Sequence, residues 1–448
     1  MRLNNRLLFK RLFAVQSNAG DSSAVAKKRR SASNLNHLVG PDLAGKKVYI
    51  PQMSIEASAL FASVFRSMGV DAEVYPESDG ETLRLGKKLT SGDECYPQLI
   101  TLGNFYKIVE DKNFDPARSA FFIAAAGGPC RFGQYVPYMK KVFRDMEHPE
   151  IPILTLDSES GYTASNDFQR IAWCAIVSGD IIRKLLLKTR PYEENAGDTD
   201  ALHRDSLRMI GEIIERPAKS NKEKIKALQE GLVSVRDRFR QIPRKQNEDK
   251  LLIGVIGEIF CRLEDFSNNN LIRAVEKLGG EVWMSNISEW VHYTNFMHNY
   301  KLKTTNQSFS KEMLKSKIKS TIQHSDELKL YAPFKEDFKG REEAEHSWDI
   351  LKRGLNYLPY YGALGEMSLN AGTSIYYHDK GADGIIDISP FTCMNGIISE
   401  AIYPNISKDH NNIPIRIFYF DGTETDLDRD LSIFLDLART YKRKKKSG

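Results

Sequence analysis

From Lys46 onward the apolar positions switch repeatedly between two periods. "KKVYIP" is a short β-branched run, and in "SIEASALFASVFRSMG" Leu60, Phe61, Val64, Phe65 and Met68 recur at helical spacing before Gly69 stops them. "VDAEVYP" predicts a second strand, and "DGETLRLGKKL" a second helix with Asp79 or Gly80 at its cap. In "SGDECYPQLITLGNFYKIVED" Pro97 suits a first helical turn, which sets Cys95 at or just before the helix N-terminus. "SAFFIAAAGGPC" reads as a buried strand entering a Gly-Gly-Pro turn, with another helix from about Gln134. "IPILTLDSE" reads as one more strand, and residues 167–188 as a long apolar helix. Strands alternating with helices predict a parallel sheet covered on both faces.

The pattern changes over residues 201–250. There Ile225, Leu228, Leu232, Val235 and Phe239 make one apolar stripe on a charged background, broken at Pro217 and Pro243. This predicts an amphipathic helical connector. A second α/β unit starts at "KLLIGVIGEIF" and continues through "NNNLIRAVEKLGG" and the strand "EVWMS". A polar helical insert, about 295–355, contains "SKEMLKSKIKSTIQ"; the core pattern resumes with "LGEMSLNAGTSIYYHDKG", "ADGIIDISP" and "IPIRIFYFDG". The fold class expected is α/β, with two Rossmann-like parallel-sheet domains, a helical connector and a helical insert. The boundaries are a basic, flexible segment 1–45, a first domain 46–200, the connector 201–250, a second domain 251–440 and a basic tail 441–448. The two halves look like one architecture used twice.

Composition narrows this only slightly. A chain of 448 residues is too long for one hydrophobic core, and 41% hydrophobic with 27% charged residues is ordinary for a soluble globular protein. The most apolar stretch, "IAWCAIVSGDIIRKLLL", is interrupted by Asp180 and Arg183 and reads as a buried helix rather than a membrane span. Net charge is +5, much of it in "AKKRRS" and "YKRKKKSG", which read as solvated tails. No motif of a nucleic-acid-binding fold accompanies them, so neither nucleic acid nor membrane is an expected partner. The opening "MRLNNRLLFKRLFAVQSNAG" reads as a frayed end or as a cut from a longer polypeptide. Self-association as a dimer is among the expectations.

Five cysteines, an odd count spread over a large chain, point to a reducing, cytoplasmic setting rather than a disulfide framework. Three share a type of location. Cys95 precedes a proline-initiated helix, Cys130 follows a strand and its turn, and Cys393 follows a strand and Pro390 and opens a helix. Helix N-termini offer free N–H groups and partial positive charge, and the carboxyl ends of parallel strands are where open α/β sheets bind ligands. With Arg131 adjacent, the surroundings of Cys130 are expected to favour an anionic sulfur. Cys174, in "RIAWCAIV", and Cys261, read as lying in the strand "GEIFCRL", are most simply small buried hydrophobes. No CxxC spacing links the first three. A closed zinc site wants four N/S ligands, whereas three thiolates fit an iron–sulfur cluster with one iron open to an exogenous ligand.

Four stretches carry a more specific signal: "TSGDECYPQLITLGN", "AGGPCRFGQY", "GEIFCRLEDFSNNNLIRAVEKLGGEV" and "GADGIIDISPFTCMNGIISEAI". Together they resemble the 2-hydroxyacyl-CoA dehydratase superfamily, nearest to the large CoA-enzyme activases, in which this module lies downstream of actin/Hsp70-type ATPase domains. The resemblance covers about Lys46 to Asp430. It implies a [4Fe–4S] or double-cubane cluster held by Cys95, Cys130 and Cys393, with no counterpart for Cys174 or Cys261. It also implies electrons supplied by an ATP-driven activator and passed to a bound substrate such as an acyl-CoA thioester. In the superfamily's dehydration chemistry the thioester carbonyl takes one electron to give a ketyl radical.

This chain has no GxxxxGK[ST] loop and no paired glycine-rich phosphate loops. The expected ATPase is therefore a separate chain or a missing upstream region. The expected activity is a dehydratase-like lyase or a component of an ATP-coupled reductase, working without oxygen. A non-catalytic cluster carrier and a cluster-free binding module stay open as alternatives. Arg131, Glu258, Ser267 and Asp421 are candidates for substrate binding, although Ser267 also suits a helix cap and Asp421 a turn. The nine histidines form no HExxH pattern, and dinucleotide-binding glycine fingerprints are absent.

Overall fold

In the computed structural model, residues 43, 45–125, 129–157, 166–245, 249–361, 365–423 and 425–447 are described. Residues 1–42, and the two glycines of the expected Gly-Gly-Pro turn, lie outside them. The first half runs β1 (Lys47–Ile50), α1 (Ile55–Ser67), β2 (Asp71–Val74), α2 (Gly80–Leu89), α3 (Tyr96–Val109), β3 (Ser119–Ala125), α4 (Tyr135–Asp145), β4 (Ile153–Asp157) and α5 (Asn166–Thr189). Its strands are all parallel, in the order β2-β1-β3-β4. Ser54 caps α1 by accepting from the Ala57 amide, and Asp79, not Gly80, caps α2 through a reciprocal pairing with Thr82.

The connector forms two helices, α6 (Asp198–Glu215) and α7 (Asn221–Arg240), which end short of Pro217 and Pro243. Its stripe of Ile225, Leu228, Leu232, Val235 and Phe239 is fully covered, in one cluster with Phe65 of α1 and Ile181 of α5. So broad an apolar face cannot stay in water, and the connector completes the core of the first half instead of merely joining the two.

The second half runs β5 (Leu251–Gly257), α8 (Ile259–Leu263), α9 (Leu271–Lys277), β6 (Gly280–Met284), α10 (Ile287–Thr304), α11 (Lys311–Tyr331), α12 (Ser347–Gly354), α13 (Met367–Asp379), β7 (Gly384–Pro390), α14 (Met394–Asp409), β8 (Ile415–Phe420) and α15 (Leu427–Ser447). Its parallel order β6-β5-β7-β8 repeats that of the first half. Every residue of β5 and β7 is buried, because helices cover both faces. The basic tail differs from expectation. It continues α15, with Lys442 paired to Asp249 at 2.6 Å and Lys445 to Asp383 at 2.7 Å. Acidic partners dock what a charge run alone suggested was free.

The repetition goes beyond strand order. In each half a helix pair precedes the third strand: α2 crosses α3 before β3, and α12 crosses α13 before β7. Both crossings are backbone on backbone. A Cβ on Gly103 would sit 1.9 Å from the Thr82 carbonyl oxygen, and one on Gly372 2.1 Å from that of Ile350. The insert α10–α11 enters the second half between β6 and α12, and α10 begins at Ile287, earlier than its polar composition suggested.

The long helix α5 explains both that start and the two charges interrupting its apolar run. Asp180 accepts from the Ile287 and Ser288 amides at 3.1 and 2.9 Å, capping α10 from outside. Arg183 donates to Ser54 Oγ at 3.0 Å and pairs with buried Glu56. Ile181 and Ile182 of α5 enter the core of the first half, while Leu187 enters that of the second. Among the described residues no helix is long and apolar enough to cross a membrane.

Candidate metal centre

With these strand orders, the switch point of each sheet lies between its first and third strands, and ligands bind beyond their carboxyl ends. Cys130 follows β3 and Cys393 follows β7, the same place in each half. Glu258 follows β5, and Cys95 precedes α3. All four are cap residues with nearly one backbone conformation, φ/ψ of −73/154 for Cys95, −69/135 for Cys130, −67/133 for Cys393 and −67/130 for Glu258. Two are aimed by a residue in the left-handed region: Gly257 at φ 121 before Glu258, and Thr392 at φ 64 before Cys393. For a β-branched threonine that conformation is costly, a strain of the kind that gathers at functional sites.

The three cysteines share electrostatic neighbours. The Glu258 carboxyl pushes up the thiols of Cys95, Cys130 and Cys393 alike, Cys95 acts on Cys130, and Cys130 acts on Cys393. Cys95 Sγ lies 3.0 Å from the Tyr135 hydroxyl, and Cys130 Sγ accepts from the Phe132 amide at 3.5 Å. Among the described residues no three His, Cys, Asp or Glu donors are grouped as a single metal ion needs. Three thiols without a histidine among them are the donor chemistry of a polynuclear iron–sulfur group, and the residues fit it in kind.

The expectation of an anionic Cys130 does not hold for the bare site. Burial pushes its thiol up to about 11; the Phe132 amide opposes this, and Glu258 and Glu366 add to it. Burial likewise raises Cys95 and Cys393 against the pull of the Gln98 and Asn395 amides. Arg131 is exposed and turns its guanidinium to the Asp93 carbonyl oxygen at 2.6 Å. Helix ends and one cation were the legible signals, but burial and two carboxyls outweigh them. Burial and the carboxyls favour the protonated thiols, and a bound cation would favour the thiolates.

Beside the sulfurs lies a carboxyl pair. Glu258 accepts from the Phe260 and Cys261 amides at 3.0 and 2.9 Å, and Glu366, the cap of α13, accepts from the Ile259 amide at 2.7 Å. Burial raises both above the ordinary carboxylate range. Arg262 is 5% exposed, and its Nε has no hydrogen-bond partner. Beneath them Asn370 accepts from the Gly257 amide at 3.2 Å and donates to Asn395 at 3.2 Å, while the Tyr403 hydroxyl donates to Asp387 at 2.5 Å.

Of the four lesser candidates, Glu258 is an electrostatic neighbour of all three cysteines and Arg131 of Cys95. Ser267 is fully buried and donates to Glu264 at 2.5 Å; it does not cap α9, whose Leu271 amide is taken by Asn268 at 3.0 Å. Asp421 is exposed and closes its own turn by accepting from the Thr423 amide at 2.8 Å. Arg131 faces Asp93 as described above. Cys174 is buried in the core of the first half as read. Cys261 is not in a strand: β5 ends at Gly257, and Cys261 lies in α8. It is buried as expected, yet it acts electrostatically with Glu258, Cys393 and Cys95, so a fourth thiol borders the group. Cys261, Arg262, Tyr135 and Glu366 were all missed by sequence reading. Compared with known protein families and with curated proteins, the chain matches none.

Proposed function

We propose that this protein holds an iron–sulfur cluster, of [4Fe–4S] or double-cubane type, between its two halves on Cys95, Cys130 and Cys393. It works in an oxygen-poor cytoplasm as an electron acceptor for an ATP-driven activator of the actin/Hsp70 type. The observation that supports the reading is that three cysteine caps, drawn from both halves, share Glu258 as an electrostatic neighbour. Bound there, the cluster supplies low-potential electrons and a Lewis-acidic iron to a substrate of the acyl-CoA class. The chain's own part is to hold the sulfurs through strained and capped turns, and to keep two buried carboxyls, raised above their ordinary range, beside Cys261. This corresponds to a 2-hydroxyacyl-CoA dehydratase-like lyase or to a component of an ATP-coupled reductase.

A second reading, a carrier that relays electrons without turnover, is favoured by one feature. Cys130 is exposed as a residue although its thiol is partly covered, and Phe391 and Ile397 flank Cys393 with 57% and 55% of their surface open. An accessible sulfur beside apolar side chains is where an electron passes to a protein partner.

Anaerobic purification of the full chain tests both. The expected product is brown, with iron and acid-labile sulfide in equal amounts, both lost in Cys130→Ser and Cys393→Ser variants. A folded, colourless, iron-free protein removes both readings. Turnover of a 2-hydroxyacyl-CoA with an added activator ATPase then separates enzyme from carrier.

A further inference from the structure

We propose that a compact oxyanion, the phosphate or carboxylate group of a small ligand, binds in the cavity between the end of α5, the edge strand β6 and the chain that joins α11 to α12. The site is separate from the cluster reading and does not depend on it. The cavity measures about 310 Å³ including its open mouth, and its wall sets Arg183, Lys184, Lys188 and Arg341 against a single carboxylate, Glu281. Lys184 and Lys188 stand one turn apart on α5 and so share a face. Arg341 comes from the chain leading into α12. Its guanidinium lies 5.7 Å from the centre of the Trp283 ring of β6, and Lys184 Nζ lies 6.0 Å from the same centre.

Three of the four cations are already answered. Arg183 pairs with Glu56 and Lys184 with Glu343. Arg341 Nε stands 3.4 Å from one Glu281 oxygen, while the other accepts from the Tyr192 hydroxyl at 2.7 Å. Lys188 is half-buried and makes no hydrogen bond or ion pair among the described residues. Burial pushes its ammonium down, and Arg341 and Lys184 add to this against the pull of Glu281. Two N–H groups of the same wall are buried without an acceptor: Arg341 Nε, and Nε1 of Trp283, a residue only 3% exposed. A water would satisfy those donors but leave the charge of Lys188 unanswered. Open donors beside one surplus cation call for a group that only accepts and carries negative charge.

The rival account gives Lys188 a local role: it stands in the last turn of α5, where a lysine complements the helix dipole. Calorimetric titration of the full chain separates the two. Wild type, Lys188→Met and Trp283→Phe are titrated in phosphate-free buffer with sodium phosphate and, separately, with sodium acetate, at an ionic strength held constant with chloride. Wild type is expected to bind one equivalent saturably. Lys188→Met is expected to bind about tenfold more weakly, and Trp283→Phe, which keeps a ring and loses the N–H, about threefold. Without added anion, Lys188→Met is expected to melt no lower than wild type, because it removes a charge that had no partner. The general stabilising action of phosphate is common to all three proteins and cancels in the comparison.

Saturable binding of phosphate alone assigns a phosphate-bearing ligand to the site, and of acetate alone a carboxylate-bearing one. A wild type that takes up neither anion overturns the proposal. So does a Lys188→Met protein that binds like wild type; if it also melts lower, Lys188 serves the helix end instead. None of these outcomes bears on whether the chain holds iron, which is read separately by its colour and metal content.

Discussion

β3 and β7 occupy the same position in two sheets of the same order, yet they are built differently. Over its buried length β3 carries Ala120, Phe121, Phe122 and Ile123, with aromatic rings packed around it. β7 alternates Ile386 and Ile388 with buried Asp387 and Ser389, and an Asn370–Asn395–Tyr403 network surrounds them. The first half is an apolar mount for Cys95 and Cys130. The second brings Cys393 and Cys261, two carboxyls and Arg262, whose Nε has no hydrogen-bond partner. One fold used twice has been divided into a side that brings thiols alone and a side that adds carboxyls to them.

The largest effect is expected in the first half, where α1 is tied to α5 and α6. Burial works against the Glu56 carboxylate, but Arg183 and His203 together hold it well below the ordinary carboxylate range. Arg183→Met leaves that carboxyl buried with only His203, at a cost of about 3 kcal/mol in urea unfolding at neutral pH. Because the folded value is depressed, this contribution is complete above the unfolded carboxylate's pKa of about 4.3 and fades as pH falls through the folded value. The gap between variant and wild type should close in acid. A gap that persists there would show that Arg183 acts by packing alone.

A somewhat smaller effect tests whether the halves are true equivalents. Gly103→Ala and Gly372→Ala each drive a methyl into a carbonyl oxygen, and each is expected to cost about 2–3 kcal/mol. Matched losses support one crossing used twice. If Gly372→Ala is tolerated while Gly103→Ala is not, the second crossing is looser and the likeness stops at strand order.

The smallest expected effect is a gain. Burial pushes the Asp387 carboxyl up to about 6. A raised folded value means that the native state holds the proton more tightly, so wild type loses stability as pH climbs from about 4 to about 6. Asp387→Asn is expected to match wild type below that window and to exceed it by about 2 kcal/mol at neutral pH. An unchanged pH profile in the variant would show that Asp387 does not titrate there.

What the sequence made legible follows from how local each signal is. Strand–helix alternation, the Pro97 start of α3 and the turn after β7 are short-range patterns, and they placed three cysteines at caps. The Cys261 helix is only five residues long and continues the apolar run of β5, so it carries no period of its own. Glu366 caps a helix with no motif around it, and its relation to Cys130 arises only after both sheets have formed. The thiol environment failed for the same reason. A cation one residue away is visible in sequence, whereas burial and two carboxyls from the other half are not.

The helix α5 spans 24 residues, about 36 Å, and is embedded in both cores along that length. A strut shared in this way leaves no free joint about which the lobes could swing apart like a clam shell.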